Sequence, residues 1–291
     1  MKYIEIYTYG DSKNGMGHIS RAKTLRKFLV NKGYKVNFFI ADYKKCLNTF
    51  QKKNYLNGSS EILIFDLPYE INQIIKIAKK NGANIIKFDG TFSKEVDLSF
   101  HVFDQGFLIN QNVYSGLEYA IIREDVLKFA NESPSDRSKV SIVLGGADIN
   151  CHSFQVANFL IEKGINPESI RVIFGPLTKC LDNVPNKFNY FVSPNNYPEL
   201  IFNSSWCISN GGTTLLEMMF LKKAVYVIPQ SENERLFAEK IFQMGGILGI
   251  GLDNLYIPSK DKIDTVGKLA GKLIDGLGCN RIELLIKQYF D

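Results

Sequence analysis

Short runs of apolar, β-branched residues alternate with segments of helical period along the whole chain, and this alternation constrains the fold more than any other feature. Residues 3–9 read as a strand. Ile19, Ala22, Leu25 and Leu29 then recur at helical spacing until Gly33, a residue suited to ending a helix. Residues 36–41, 62–65 and 85–88 give further strands, with Ile74, Ile75 and Ile77 on a helix between the last two. Residues 131–138 are polar and without period, the character of an interdomain linker. The series then resumes with strands at 140–144, 170–174, 206–209 and 225–228, and helices at 154–165, 198–202, 214–221 and 232–244. Such alternation implies parallel sheets covered by helices. Over 291 residues it predicts an α/β chain of two Rossmann-like domains facing a central cleft, residues 1–135 and 136–291.

Composition narrows the function classes. No apolar stretch approaches the ~18 to 20 residues that cross a bilayer, and residues 1–7 lack the charged head and apolar run of a signal peptide, so a cytoplasmic protein without membrane insertion is expected. The five cysteines are scattered, with no Cys-x-x-Cys pair and only three histidines in the chain, which argues against structural zinc and against a disulfide framework. A net charge of +5 is spread as lysine pairs such as Lys44-Lys45, Lys79-Lys80 and Lys222-Lys223. With no basic stripe interleaved with aromatics, nucleic acid is not the expected partner; a modest positive field suits an anionic small molecule. Residues Ile263, Val266, Leu269 and Leu273 mark an amphipathic helix near the end, and Ile282, Leu285 and Ile286 a last one, both read as packing elements.

In open parallel sheets, ligands gather beyond the carboxyl ends of the strands, where backbone amides and helix N-termini converge. The unusual residues of this sequence cluster there. After the first strand come Gly15, Gly17, His18 and Arg21, leading into a helix. The glycines permit close backbone approach, and His18 reads as a catalytic base, or alternatively as a capping or surface histidine. Gly145, Gly146 and Asp148 follow the first strand of the second half, as a matching binding turn or a plain tight turn. Ser209, Asn210, Gly211, Thr213, Thr214 and Glu217 bring a strand end, a double glycine, hydroxyls and a helix start together. These fit a diphosphate, with Glu217 on ribose hydroxyls; Thr214 and Glu217 also have the spacing of a capping box. Gln230 and Asn233 follow the next strand and border the same site, or form an ordinary N-cap. Asp66, with Tyr69 close behind, and Asp89 end strands of the first half as substrate-facing or simple turn aspartates.

Four elements taken in order, Gly15-x-Gly17-His18-x-x-Arg21, residues 119–124 (Tyr-Ala-Ile-Ile-Arg-Glu), Gly145-Gly146-x-Asp148 and Ser209-x-Gly211-x-Thr213-Thr214-x-x-Glu217, carry a resemblance. Over roughly residues 1–250 the chain resembles the UDP-2,4-diacetamido-2,4,6-trideoxy-β-L-altropyranose hydrolases of pseudaminic acid biosynthesis. That family is in turn similar to glycosyltransferase B-type (GT-B) enzymes such as the N-acetylglucosaminyltransferase of peptidoglycan synthesis. The resemblance implies a UDP-sugar substrate, uridine and diphosphate held mainly by the C-terminal domain, the sugar on the N-terminal one, and no cofactor or metal. It implies that His18 activates water for attack at the anomeric carbon. The chain departs from the family pattern at 66–69, where an Asp followed by His and Tyr is expected and Asp66-Leu67-Pro68-Tyr69 stands, and at Asp89-Gly90, where a double acid is expected.

UDP is already a good leaving group, so the protein need only position water, remove its proton and neutralise charge growing on the diphosphate. An imidazole, titrating ordinarily near pH ~6.5, suits the second task and helix N-termini the third. Two rival expectations stand beside hydrolysis: a glycosyltransferase that places an acceptor hydroxyl where water would attack, and a non-catalytic nucleotide-sugar binding protein. The sequence carries no expectation for the oligomeric state.

Overall fold

The computed structural model describes residues 3–52, 61–91, 93–102, 112–179 and 189–290. The chain divides into two compact units: residues 1–10, 18–121 and 277–291 form the first, and residues 11–17 and 122–276 the second. Each is built on a six-stranded sheet whose strand pairs are all parallel among the described residues.

The first unit contains β1 (Tyr3–Thr8), α1 (Gly17–Asn31), β2 (Lys35–Ile40), α2 (Tyr43–Lys52), β3 (Glu61–Asp66), α3 (Asn72–Lys80), β4 (Asn84–Phe88), β5 (Leu98–His101) and β6 (Val113–Ser115). Its strand order is β2-β1-β3-β4-β5-β6. The strands read as continuous apolar runs because both faces of the sheet are covered. Ile4, Ile6, Ile62 and Ile64 point to one face and pack with Leu25 and Leu29 of α1. Tyr7, Leu63, Phe65 and Ile85 point to the other and meet Cys46 and Phe50 of α2 and Ile74, Ile75 and Ala78 of α3.

The second unit continues with α4 (Glu124–Leu127), β7 (Lys139–Val143), α5 (His152–Glu162), β8 (Ile170–Phe174), β9 (Asn189–Val192), α6 (Tyr197–Phe202), β10 (Ser204–Ser209), α7 (Thr213–Phe220), β11 (Val225–Val227), α8 (Glu232–Gln243), β12 (Gly249–Ile250) and α9 (Lys260–Leu273). Its strand order is β12-β11-β10-β7-β8-β9. Ile142, Val172, Trp206, Ile208 and Tyr226 of the sheet pack with Val156 and Leu160 of α5 and Val266 of α9.

The division differs from the expected boundary at residue 135. Residues 122–135 already belong to the second unit: Val126 is fully buried, and Phe129 stacks on Phe202 with ring centroids 4.6 Å apart. The polar stretch 131–138 is therefore a surface loop of that unit, with Ser135 donating from its backbone to Asn203. The last helix, α10 (Gly278–Phe290), belongs to the first unit, where Ile282, Leu285 and Ile286 enter the core beside Ile4 and Leu25. Cys46, Cys207 and Cys279 are free and buried, and Cys151 is disulfide-bonded. None of the described helices is long and apolar enough to cross a membrane.

The docking of α10 yields a stability test. Ile282→Ala removes a fully buried side chain and is expected to cost about 2–5 kcal/mol, whereas Leu284→Ala, at a position 63% exposed, stays within about 0.5 kcal/mol. Urea unfolding followed by circular dichroism checks both, and equal effects would place α10 outside the core.

Candidate functional site

In the first unit, β1, β3 and β4 lie side by side in the sheet, so the turns at their carboxyl ends are neighbours. His18 opens α1 after the first turn, Asp66 is the last residue of β3, and Asp89 follows β4. Arg21 stands three residues after His18, on the same face of α1. These four residues form one connected group. Asp66 Oδ2 accepts from Arg21 Nε at 2.8 Å and Asp66 Oδ1 from Arg21 Nη2 at 2.5 Å, a bidentate fork. Arg21 Nη1 donates to Asp89 Oδ2 at 2.6 Å, and the guanidinium lies 5.3 Å from the centroid of the Phe88 ring. His18 Nδ1 is 2.6 Å from Asp66 Oδ1.

The electrostatics fix the proton positions. Burial alone would push the Asp66 carboxyl up, but the charge and hydrogen bonds of Arg21, followed by those of His18, outweigh it and hold the group down at about 2. Burial likewise lowers Arg21, and the two aspartates more than restore it, so the guanidinium stays charged. Asp66 is therefore a carboxylate with nothing to donate, and the hydrogen of the 2.6 Å contact belongs to His18 Nδ1. In the neutral ring Nε2 then carries the lone pair, the arrangement of a general base oriented by a carboxylate. The His18 side chain is 24% exposed, against 2% for Asp66 and 7% for Arg21, so the imidazole alone among the three is open to a small molecule.

Arg21, expected on the substrate side, is buried and engaged by two carboxylates. Asp89 takes a left-handed backbone conformation (φ 53°), which Asp tolerates better than most residues and which is followed at once by Gly90 at φ 75°. Tyr69 is not brought to this group. Its hydroxyl donates to Ala41 O at 2.8 Å, and its ring meets Tyr9 and Tyr43. Two residues that the pattern of the sequence did not mark lie beside Asp89: Lys87, whose buried ammonium donates to Thr91 O at 2.9 Å, and His101, 1% exposed at the end of β5, whose imidazole burial pushes down.

In the second unit the glycine turns pack on one another. Within that unit a Cβ on Gly17 would lie 3.3 Å from Thr213 Oγ1, and one on Gly146 3.3 Å from Met16. Gly15, at φ 70°, has open space around its Cβ position. Gly145 is left-handed (φ 74°) and sits under the Asn210 amide, where a Cβ would approach Nδ2 to 2.9 Å. Gly211 passes so close to α8 that a Cβ would stand 2.6 Å from Glu234 O.

Thr213 and Thr214 open α7 after the N-cap Gly212, with no side-chain capping bond, so the capping-box alternative for Thr214 and Glu217 is not formed. Glu217 instead accepts from Arg123 Nε at 2.7 Å and Nη2 at 3.2 Å. Ser209 is fully buried, and among the described residues its Oγ has no hydrogen-bond partner. Asp148 caps α5, accepting from the backbones of His152 (3.0 Å) and Ser153 (3.1 Å), and is itself 3% exposed, so its carboxylate is engaged in the helix start. Gln230 spans backbone groups: its Nε2 donates to Leu144 O at 2.8 Å and its Oε1 accepts from Ile149 N at 2.7 Å. Ser231 is the N-cap of α8, and Asn233 is exposed in the first turn of that helix.

Glu234 is the residue of this unit that the sequence reading missed. Burial pushes its carboxyl above the ordinary range, and hydrogen bonds from Gln230 N, the Asn210 side chain and Gly211 N pull it partway back. Its signal was present as Ser231-x-x-Glu234, the spacing of a capping box. Ser231 Oγ does accept from Glu234 N, but the carboxylate reaches past the N-cap to Gln230 N, at 2.8 Å. Among the described residues no group of three His, Cys, Asp or Glu side chains is placed to hold a metal ion.

Set beside known proteins, the chain matches no protein-family model. It is 25% identical over 278 residues to an uncharacterized protein of Methanocaldococcus jannaschii, covering 80% of this chain and 56% of that protein. The chain thus spans little more than half the length of that relative. It is 20% identical over 342 residues to the spore coat polysaccharide biosynthesis protein SpsG of Bacillus subtilis, covering 99% of each. Among solved structures, MurG of Acinetobacter baumannii superposes with a TM-score of 0.68 at 11% identity over 99% of this chain and all of that one. The UDP-GlcNAc 2-epimerase of Methanocaldococcus jannaschii, solved with UDP-GlcNAc and UDP, gives 0.58 at 12% identity over 98% and 99% of the two chains. The fold is that of the GT-B type, two parallel six-stranded α/β sheets.

The Asp66–Arg21 fork makes acid stability measurable. Because the folded value for Asp66, about 2, lies below the ordinary value near 3.8, its contribution is complete above about pH 4 and is lost as pH falls through 2, an effect on the order of 2 kcal/mol. Asp66→Asn is expected to remove that acid limb. Arg21→Met leaves two carboxylates without their cation and is expected to cost about 3–5 kcal/mol at neutral pH, read by denaturant unfolding.

Proposed function

We propose that the protein hydrolyses a UDP-linked sugar, of the acetamido-trideoxy class implied by the sequence resemblance, to free sugar and UDP in the synthesis of a nonulosonic acid or surface glycan. The observation that carries this reading is the His18–Asp66 contact, which leaves Nε2 of a partly exposed imidazole as a base. In the reaction, His18 Nε2 takes a proton from water as the water oxygen bonds to the anomeric carbon, and the bond from that carbon to the diphosphate oxygen breaks with its electron pair going to UDP. The amide hydrogens of Thr213 and Thr214, in the first turn of α7 and so without intrahelical acceptors, stabilise the charge growing on the leaving diphosphate.

The likeness to SpsG, named for spore coat polysaccharide biosynthesis, and to an epimerase solved with UDP and UDP-GlcNAc supports a nucleotide-sugar substrate. The likeness to MurG favours a second reading, in which the same Nε2 deprotonates an acceptor hydroxyl and the sugar is transferred. The donor site is common to both.

Incubating the protein with a panel of UDP-sugars, with and without candidate acceptors, separates the two readings. UDP release in water alone supports hydrolysis, release only with an acceptor makes the protein a transferase, and no release with intact binding makes it a binding module. His18→Ala is expected to lower turnover by about 10²–10⁴-fold while leaving UDP affinity nearly unchanged. Wild-type rates in that variant would remove the assigned base.

A further inference from the structure

Three post-strand turns of the second unit meet at two side chains of one short segment. Gln230 bridges the backbone of the 144–149 turn, donating to Leu144 O and accepting from Ile149 N. Four residues later, Glu234 holds the 209–213 turn: Oε1 accepts from Asn210 Nδ2 at 2.5 Å, Oε2 from Gln230 N at 2.8 Å, and the Gly211 amide also donates to the carboxylate. Packing makes the same connection independently of these hydrogen bonds. Gly211 lies against the Glu234 backbone and Cβ with room for hydrogen alone, and a Cβ on Gly212 would stand 3.5 Å from Glu234 Oε1. The Asn210 amide, fixed by Glu234, covers the left-handed Gly145.

A glycine-rich turn is entropically costly to order, because glycine loses more backbone freedom than any other residue. Hydrogen bonds from the Asn210 amide and Gln230 N to one carboxyl group supply the order here. None of them uses the amides of Thr213 and Thr214, so the first turn of α7 keeps its donors for a ligand.

We propose that Glu234 is the positioning residue of the 209–214 turn, acting through Asn210 and Gly211 to aim the α7 amides at the diphosphate. This rests on the reading of that turn as the nucleotide site. The Glu234 carboxyl oxygens are taken up by Asn210 and Gln230 of the turns themselves, so its loss is expected to weaken nucleotide binding rather than the chemical step.

Replacement by glutamine gives a specific rescue. An amide at this position keeps one acceptor for Gln230 N and Gly211 N, and its NH₂ can donate to Asn210 once the Asn210 amide turns over. Asn210 Oδ1, which among the described residues has no hydrogen-bond partner, then gains one. Alanine offers no such exchange.

The test compares wild type, Glu234→Ala and Glu234→Gln in two measurements. Backbone amide hydrogen exchange of residues 209–214 is read without ligand, and UDP affinity by calorimetry, with the KM and kcat of UDP-sugar turnover alongside. Glu234→Ala is expected to speed exchange in the turn and to raise the Kd for UDP and the KM about tenfold or more, with kcat within about threefold. Glu234→Gln is expected to stay within about threefold of wild type in all of these. A merely structural role would lower the melting temperature of the alanine variant without the split between KM and kcat and without rescue by glutamine. Wild-type exchange and wild-type UDP affinity in Glu234→Ala would overturn the proposal. Failure of the wild-type protein to bind UDP would instead overturn the nucleotide reading of the turn, and the exchange measurement would still decide what Glu234 does.

Discussion

A guanidinium buried between two carboxylates organises the first unit. Arg21 is 8% exposed, and removing such a group from water costs several kcal/mol unless its donors are matched. Asp66 matches it with a bidentate fork and Asp89 with a further bond, so the ends of β3 and β4 are joined through one side chain of α1. The arrangement has a chemical consequence beyond stability. With Asp66 held ionised by Arg21, its remaining capacity is purely to accept, and the imidazole beside it must present Nδ1–H inward. The hydrogen on His18 is thus set, through Asp66, by the buried guanidinium of Arg21.

The second unit solves a different problem by different means. Its turns consist of residues chosen for small size, and where Gly145, Gly211 and Gly212 stand, side chains of Asn210 and Glu234 fill the space that a Cβ would need. Order comes from carboxylate and amide side chains that reach backbone groups of turns far apart in sequence, as when Gln230 accepts from Ile149 and donates to Leu144. The helix start at Thr213, which among the described residues has no side-chain cap, stands at the carboxyl end of β10, the position where parallel sheets gather anionic ligands. Glu217, drawn into an ion pair with Arg123, ties the beginning of the second unit to its middle.

Much of this was legible in the residues. Strands covered on both faces are mostly apolar, so β1, β3, β4, β7, β8 and β10 declared themselves, and the special residues fell where those strands end. β5 was hidden because Ser99 and His101 interrupt its apolar run although both are buried, and β9 because its four residues are exposed. The unit boundary was misplaced because a polar stretch marks a surface loop as readily as a linker. What ties residues 122–135 to the second unit is Phe129 on Phe202 and Arg123 on Glu217, contacts between positions far apart in sequence. The return of α10 to the first core has the same origin: its apolar stripe announces a packing helix without naming its partner. His18, Arg21, Asp66 and Asp89 were each singled out, yet their union was not, since Arg21 bonds aspartates 45 and 68 residues away.

The proposed chemistry turns on which nitrogen of His18 holds the hydrogen. Long-range ¹H–¹⁵N correlation spectra of the protein labelled with ¹⁵N-histidine, recorded above the ordinary imidazole range and assigned by His18→Ala, read the tautomer directly. The structure predicts the Nδ1–H form for His18 in the wild type, with a bare Nε2. A predominant Nε2–H form would leave no lone pair facing outward and would contradict the assignment of His18 as the base.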